Sequence, residues 1–159
     1  MTATDPTAPT PPVSAGVPDD PARALARGVV RMLGEDGQSC LCEFTLRNSR
    51  RTDVIAIAPD GLFTIVEVKT TPADFRSDQK WPEYLNFCDF FYFAVPESFP
   101  EALIPESCGL IIADAYGGVI RRPSAETRMN ATRRRALTLR YAQTASRRLT
   151  QLLDPTYGL

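Results

Sequence analysis

The pattern of apolar positions along the chain changes at Pro21. Residues 1 to 20 are rich in Pro, Thr, Ala and Ser and carry no periodic hydrophobics, so they cannot repay the entropy of ordering and are expected to form a disordered tail. From Pro21 onward, Leu25, Val29, Met32 and Leu33 recur at helical spacing, while Arg23, Arg27 and Arg31 fall four apart on another face. This predicts an amphipathic helix that ends near Gly34 to Gly37. Its arginine stripe reads as a solvated face, with phosphate contact as the sharper alternative. Three strand-like runs follow over 39–47, 52–58 and 62–69. Between the last two, Pro59-Asp60-Gly61 supplies a preset φ followed by a residue that accepts a left-handed conformation, which is the chemistry of a tight hairpin.

Beyond Lys69, Thr71-Pro72-Ala73-Asp74 has the layout of a helix start, with Thr as N-cap, Pro at the first helical position and an acid in the first turn. A helical stretch broken by Pro82 then leads to two continuous apolar runs, 89–96 and 109–114, of the kind buried on both faces of a sheet. Tyr116-Gly117-Gly118 turns the chain into a short strand through Val119 and Ile120. The remainder, from about 130 to 153, predicts a long basic helix with Ala136, Leu137, Leu139, Tyr141, Ala145, Leu149, Leu152 and Leu153 available for packing. There is no internal repeat. The order of elements predicts a single α/β domain over 21–159, with a central mixed sheet of four to five strands flanked by helices.

At 159 residues the chain has room for an ordinary hydrophobic core without disulfides or a structural metal. No apolar run approaches the roughly 20 residues that span a bilayer, and the N-terminus lacks a secretory layout, so a cytoplasmic protein with no membrane partner is expected. Cysteines 40, 42, 88 and 108 include a C-x-C but no C-x-x-C, and they read as buried, reduced thiols, with Cys40 and Cys42 facing the same side as Phe44. Histidine is absent, which removes Ser-His-Asp and Cys-His nucleophiles and His-ligated metals at once. Any catalysis must rest on carboxylates, lysine, hydroxyls or a metal. The net charge of −1 conceals an asymmetry. Residues 121–150 hold nine arginines against the single acid Glu126, a segment charge of +8 that leaves −9 on the remainder. A segment this basic is compatible with nucleic-acid binding despite the acidic pI.

The hairpin gathers the candidate chemistry. A loop at 59–61 sets residue 58 across from 62 and therefore Asp53 across from Glu67, on one face, with Cβ atoms roughly 4.5–5.5 Å apart. Lys69 lies two residues beyond Glu67 on that face, diagonal to Asp53. Facing carboxylates destabilise a fold unless something offsets them. A hard divalent cation, Mg²⁺ or Mn²⁺, does so with two carboxylates and a backbone carbonyl such as that of Val68. Lys69 would then orient or deprotonate an attacking water and offset negative charge developing at phosphorus, which is the equipment for phosphodiester hydrolysis. E-x-K alone is common as surface charge. Here it joins an Asp in register, an apolar run through Phe63, Ile65 and Val66, and one of only two lysines in the chain.

Asp53, thirteen intervening residues and then Glu67-Val68-Lys69 resemble the PD-(D/E)-x-K nuclease superfamily, whose restriction-endonuclease-like fold orders a helix, a three-strand meander, a helix and further strands as read here over about 22–120. More narrowly, Arg51-Thr-Asp53-Val, Ile-Val-Glu67-Val-Lys69, Asp78-Gln-Lys80-Trp81-Pro-Glu-Tyr84 and Cys88-Asp89-Phe-Phe-Tyr-Phe-Ala-Val-Pro96 resemble the bacterial MmcB family of DNA repair proteins. The resemblance implies a restriction-endonuclease-like fold, a role in DNA repair, DNA as partner and Mg²⁺ (or Mn²⁺) as cofactor, with Asp53, Glu67 and Lys69 as catalytic residues and Asp53, Glu67 and Val68 around the metal. It does not by itself establish cleavage, and a non-catalytic DNA-binding or adaptor module that kept the fold is the alternative. Many proteins of this fold pair as homodimers, and other repair proteins are further partners it implies. Thr52 stands where the superfamily's name has proline.

Around this centre, Glu43 is either a third acid or an exposed strand residue. Gln79, Lys80 and Tyr84 lie where related nucleases carry a polar residue that holds water or phosphate. Trp81 is either a base-stacking platform or core. Arg133, Arg134, Arg140 and Arg147, with Arg135 and Arg148, are candidates for a salt-sensitive phosphate track. The alternative is a basic helix that docks on the acidic remainder of its own chain.

Overall fold

The computed structural model describes residues 20–158, so the predicted tail lies, apart from Asp20, outside the described residues. The first helix, α1 (Pro21–Glu35), begins as its sequence directs, with Pro21 in the first turn and the Asp20 carboxylate accepting from Ala22 N–H. Strands β1 (Ser39–Thr45), β2 (Arg51–Ile57) and β3 (Phe63–Val68) follow. A short helix α2 (Pro72–Ser77), capped by the Thr71 hydroxyl, and a 3₁₀ segment (Trp81–Phe87) lead to β4 (Phe90–Val95). The chain ends with β5 (Gly109–Ala113), β6 (Gly118–Arg122) and the long α3 (Ala131–Leu153), whose Asn130 side chain caps the N–H groups of Thr132 and Arg133.

The strands form one sheet in sequence order, β1 to β6. The first three make an antiparallel meander, β3, β4 and β5 run parallel, and β6 returns antiparallel. The sheet has six strands where four to five are expected; the sixth, β6, is the short run through Val119 and Ile120 extended to Arg122, and as an edge strand with little burial it tolerates the arginines at its end. Crossing from β3 to the parallel β4 requires a connection over the sheet, and α2 with the 3₁₀ segment supplies it.

Each face of the sheet has its own core. On one, Leu25, Val29 and Leu33 of α1 pack on Val54, Ala56, Val66, Val68 and Ala94. Helix and sheet meet closely at Gly28, where a Cβ would lie 1.9 Å from the Asp114 carbonyl oxygen. On the other face, Phe44, Ile55, Phe63, Ile65 and Phe93 are covered by Leu137 and Tyr141 of α3 and by the aromatic side chains of the β3–β4 crossover. Phe44, Phe63 and Phe93 are fully buried, each stabilising by about 1.5–3 kcal/mol relative to exposure.

Three expectations change. Cys40 and Cys42 pack on the α1 side whereas Phe44 faces α3, because Glu43 between them adopts a left-handed conformation with φ 49° and inverts the alternation. The break between α2 and the 3₁₀ segment falls at residues 78–80, before Pro82, which is tolerated in the first 3₁₀ turn. In α3 only Leu137 and Tyr141 are buried, and Leu139, Leu149, Leu152 and Leu153 stand exposed. Among the described residues no helix is long and apolar enough to cross a membrane.

Candidate functional site

The β2–β3 hairpin has the register its turn predicts. Val54 pairs with Val66 and Ile57 with Phe63, and Gly61 closes the loop at φ 84°. The backbone ladder stops at Val54–Val66. One step further, where continued register sets Asp53 opposite Glu67, the side chains take over its bonds. The Asp53 carboxylate accepts from Val68 N–H at 2.7 Å through Oδ2, and the Glu67 carboxylate accepts from Asp53 N–H at 3.2 Å through Oε1. The second oxygen of each carboxylate, Asp53 Oδ1 and Glu67 Oε2, stays outside these bonds. Because Val68 N–H faces β2, its carbonyl is directed to the same side, as in any extended strand.

This arrangement is electrostatically loaded. Glu67 is 3 % exposed, and burial, followed by the neighbouring Asp53, pushes its carboxyl up to about 9. Burial also raises Asp53, against the opposing effects of Val68 N–H and Lys69. Lys69, 5 % exposed, donates from Nζ to Asp78 Oδ2 at 2.6 Å. Burial alone would lower Lys69, yet the bond and the charge of Asp78 outweigh it and hold the ammonium above its ordinary value. Asp78 is lowered in turn, its own desolvation being outweighed by the bond from Lys69 and by Lys80 N–H.

In the sequence Asp78 stands only as the first residue of the Asp78-Gln-Lys80-Trp81-Pro-Glu-Tyr84 motif, and nothing in the motif places it beside Lys69. The available signal was indirect: a lysine on a buried strand needs a counter-charge, and the capped turn at Thr71 folds the chain straight back over it. Glu83, in the same motif, forms a bidentate pair with Arg50.

Glu43 is exposed and lies 3.8 Å from Arg51. With Asp53 it lines an open cavity of about 560 Å³ between α1 and the β1–β2 pair. The residues after the hairpin are distributed differently. Gln79 is exposed and bonds the Arg76 carbonyl. The exposed Lys80 stands at the N-cap position of the 3₁₀ segment without a side-chain capping bond, and Tyr84 is buried with its hydroxyl donating to the Arg51 carbonyl at 3.0 Å. Trp81 stacks on Phe91 and packs edge-on to Phe93, as core.

Most of the basic side chains of α3 are engaged within the fold. Arg134 grips the buried Asp89 through both Nη atoms, Arg133 donates to the Asn86 carbonyl over the Phe87 ring, and Arg140 donates to the Thr45 carbonyl. Arg148 bonds the carbonyls of Cys42 and Glu43, clasping β1 where its alternation inverts. Arg147 and Arg135 are exposed.

Among the described residues, no three acidic or cysteine side chains converge as a ready-made metal cluster. The donor set is two carboxylates and a backbone carbonyl, which suits a cation that keeps several waters. A mixed six-stranded sheet, wrapped by helices and carrying an Asp–Glu pair and a salt-bridged lysine where β2 and β3 part, defines an α/β protein with its chemistry concentrated at one mouth of the sheet. The chain belongs to the family described as DNA repair protein MmcB-like, whose profile matches residues 9–156, and its role is accordingly in DNA repair. It is also similar to a solved structure, the SPO1766 protein of unknown function from Silicibacter pomeroyi, with 38 % identity over 90 % of this chain and 98 % of that one and a TM-score of 0.86. No curated protein matches the chain.

Proposed function

We propose that the protein is a Mg²⁺- or Mn²⁺-dependent DNA nuclease of the PD-(D/E)-x-K type acting in repair. The observation that carries this reading is the exchange at the end of the hairpin. Two carboxylates replace the backbone ladder, each anchored by one oxygen to a backbone N–H, so that the pair is held rigidly with its other oxygens available as ligands. When both are ionised, two carboxylates this close repel unless a cation joins them. Asp53, Glu67 and the Val68 carbonyl would hold that cation, and when bound it supplies Lewis acidity toward a phosphodiester.

The remaining work falls to Lys69. Its raised pKa and its bond to Asp78 keep it an ammonium at neutral pH, so it acts as a fixed cation beside the phosphate and not as the base. In hydrolysis, water oxygen bonds to phosphorus, the bond from phosphorus to the leaving sugar oxygen breaks, and that oxygen takes up a proton. Charge accumulating on the phosphoryl oxygens is what a positioned ammonium stabilises, and loss of one such group typically costs about 10²–10³ in rate.

Purified full-length chain incubated with labelled single-stranded, duplex and branched DNA and Mg²⁺ or Mn²⁺ tests the reading. Cleavage is expected, and Lys69→Ala is expected to abolish it while leaving DNA binding intact. Binding without cleavage on every substrate and with either metal would refute catalysis and favour a non-catalytic repair module.

A further inference from the structure

The guanidinium groups beside the carboxylate pair do not come from the arginine-rich C-terminal helix. Arg133, Arg134, Arg140 and Arg148 hold carbonyls and Asp89 of their own chain. The cavity that Asp53 opens into is lined instead by Arg23 and Arg27 of α1 and Arg51 of β2, together with the acids Glu43 and Asp20; Arg27 donates from Nε to the Ala115 carbonyl. Arg23 is exposed, and Arg51 meets Glu43 only at 3.8 Å with two-thirds of its side chain in solvent. Ala22 and Ala26 keep part of the α1 wall free of bulk, beside Val30, and the N-terminal end of α1 adds its own positive potential to the cleft.

We propose that this cleft between α1 and the β1–β2 pair is the entry track for the DNA strand to be cut, with Arg23 and Arg51 each holding a backbone phosphate that flanks the one presented to Asp53 and Glu67. This rests on the nuclease reading of the carboxylate site. Contacts of this kind grip phosphate and read no base, so recognition along the track is independent of sequence. A strand lying here approaches from the α1 face of the sheet, opposite the face that α3 covers. Arg148 takes a positioning role, fixing the kink in β1 that sets Glu43 at the edge of the track.

The test is fluorescence anisotropy of the full chain with labelled oligonucleotides of two unrelated sequences, single-stranded and duplex, across a salt series with Ca²⁺ in place of Mg²⁺. Arg23→Ala and Arg51→Ala are each expected to weaken binding about fivefold near 0.15 M salt and to flatten the log–log salt slope by about 0.7–0.9, equally for both sequences, with losses multiplying in the double variant. Arg23→Lys and Arg51→Lys should restore most of the loss. Arg135→Ala and Arg147→Ala should bind as wild type does. Unchanged binding in the cleft variants, a loss carried by Arg135 or Arg147, or a sequence-dependent loss overturns the track. Circular dichroism melts identify any variant that loses binding by failing to fold, in which case the lysine variant decides. Cleavage is scored separately with Mg²⁺. Cutting that is indifferent to Arg23 and Arg51 leaves the nuclease and removes the track. Binding through these arginines without any cutting removes the nuclease and leaves a binding surface. A wild-type chain that binds no DNA removes both.

Discussion

Glu67→Gln is expected to stabilise the metal-free protein at neutral pH, although it deletes a group proposed to be essential. The substitution keeps a carbonyl oxygen to accept from Asp53 N–H and keeps the side-chain shape, while removing the ability to ionise. In the folded protein, burial pushes the carboxyl up to about 9 from an ordinary 4.5. The folded state therefore binds a proton that the unfolded chain has released at neutral pH. The sign follows from linkage: the wild type is at its full stability below the unfolded value, loses it steadily as pH rises, and levels off once the folded group also ionises. At pH 7 the gap to 4.5 is about 2.5 units, which at 1.36 kcal/mol per unit is about 3 kcal/mol. For a chain of this size that corresponds to a rise in melting temperature on the order of 10 °C. The assay is thermal unfolding of wild type and variant in EDTA from pH 4.5 to 9, repeated with Mg²⁺. The two curves should coincide near pH 4.5 and diverge as pH rises, and Mg²⁺ should raise the wild type but not the variant. A variant less stable than wild type at pH 7 in EDTA, or a difference that does not change with pH, would refute the electrostatic account of the site.

Asp78→Asn removes the counter-charge of a lysine that is 5 % exposed and should cost about 1.5–3 kcal/mol in a urea titration at pH 7. Because Asp78 is depressed, the wild type should lose this advantage only as pH falls below the ordinary Asp value of 3.8; a neutral result at pH 7 would mean that the pair is not formed in solution. Asp89→Ala leaves Arg134 and the N–H groups of Phe63 and Met129 without their acceptor and should lower stability by about 3–5 kcal/mol, measured by denaturant midpoint. A loss below about 1 kcal/mol would show that α3 is not held to the sheet at this point.

What could be read from the sequence was whatever short-range chemistry decides. Pro59-Asp60-Gly61 selects a loop, the loop sets the register, and the register brings Asp53 to Glu67 before any tertiary contact is known. Pro21 and Asn130 likewise mark where α1 and α3 begin. The MmcB motifs pointed to the repair family that the profile match bears out. Reading failed wherever a side chain's role depends on a partner distant in sequence or on an unexpected backbone angle. Strict alternation put Cys40, Cys42 and Phe44 on one face, and one left-handed residue, Glu43, was enough to separate them. The leucines near the end of α3 have apolar character but meet nothing to pack on.

The arginines of α3 show the limit most clearly. A run of positive charge in a sequence has the same appearance whether the guanidinium groups reach a phosphate or a carbonyl of their own chain, because both acceptors are oxygen and only tertiary geometry separates them. The run of charge along the chain therefore points first to the C-terminal helix, whereas placement points to Arg23, a member of the α1 arginine stripe for which phosphate contact is the sharper alternative, and to Arg51 of β2. Proximity to Asp53 distinguishes them, and proximity is a property of the fold: a hairpin that presents the carboxylates at one mouth of the sheet and a helix packed so closely at Gly28 that its first turns border that mouth.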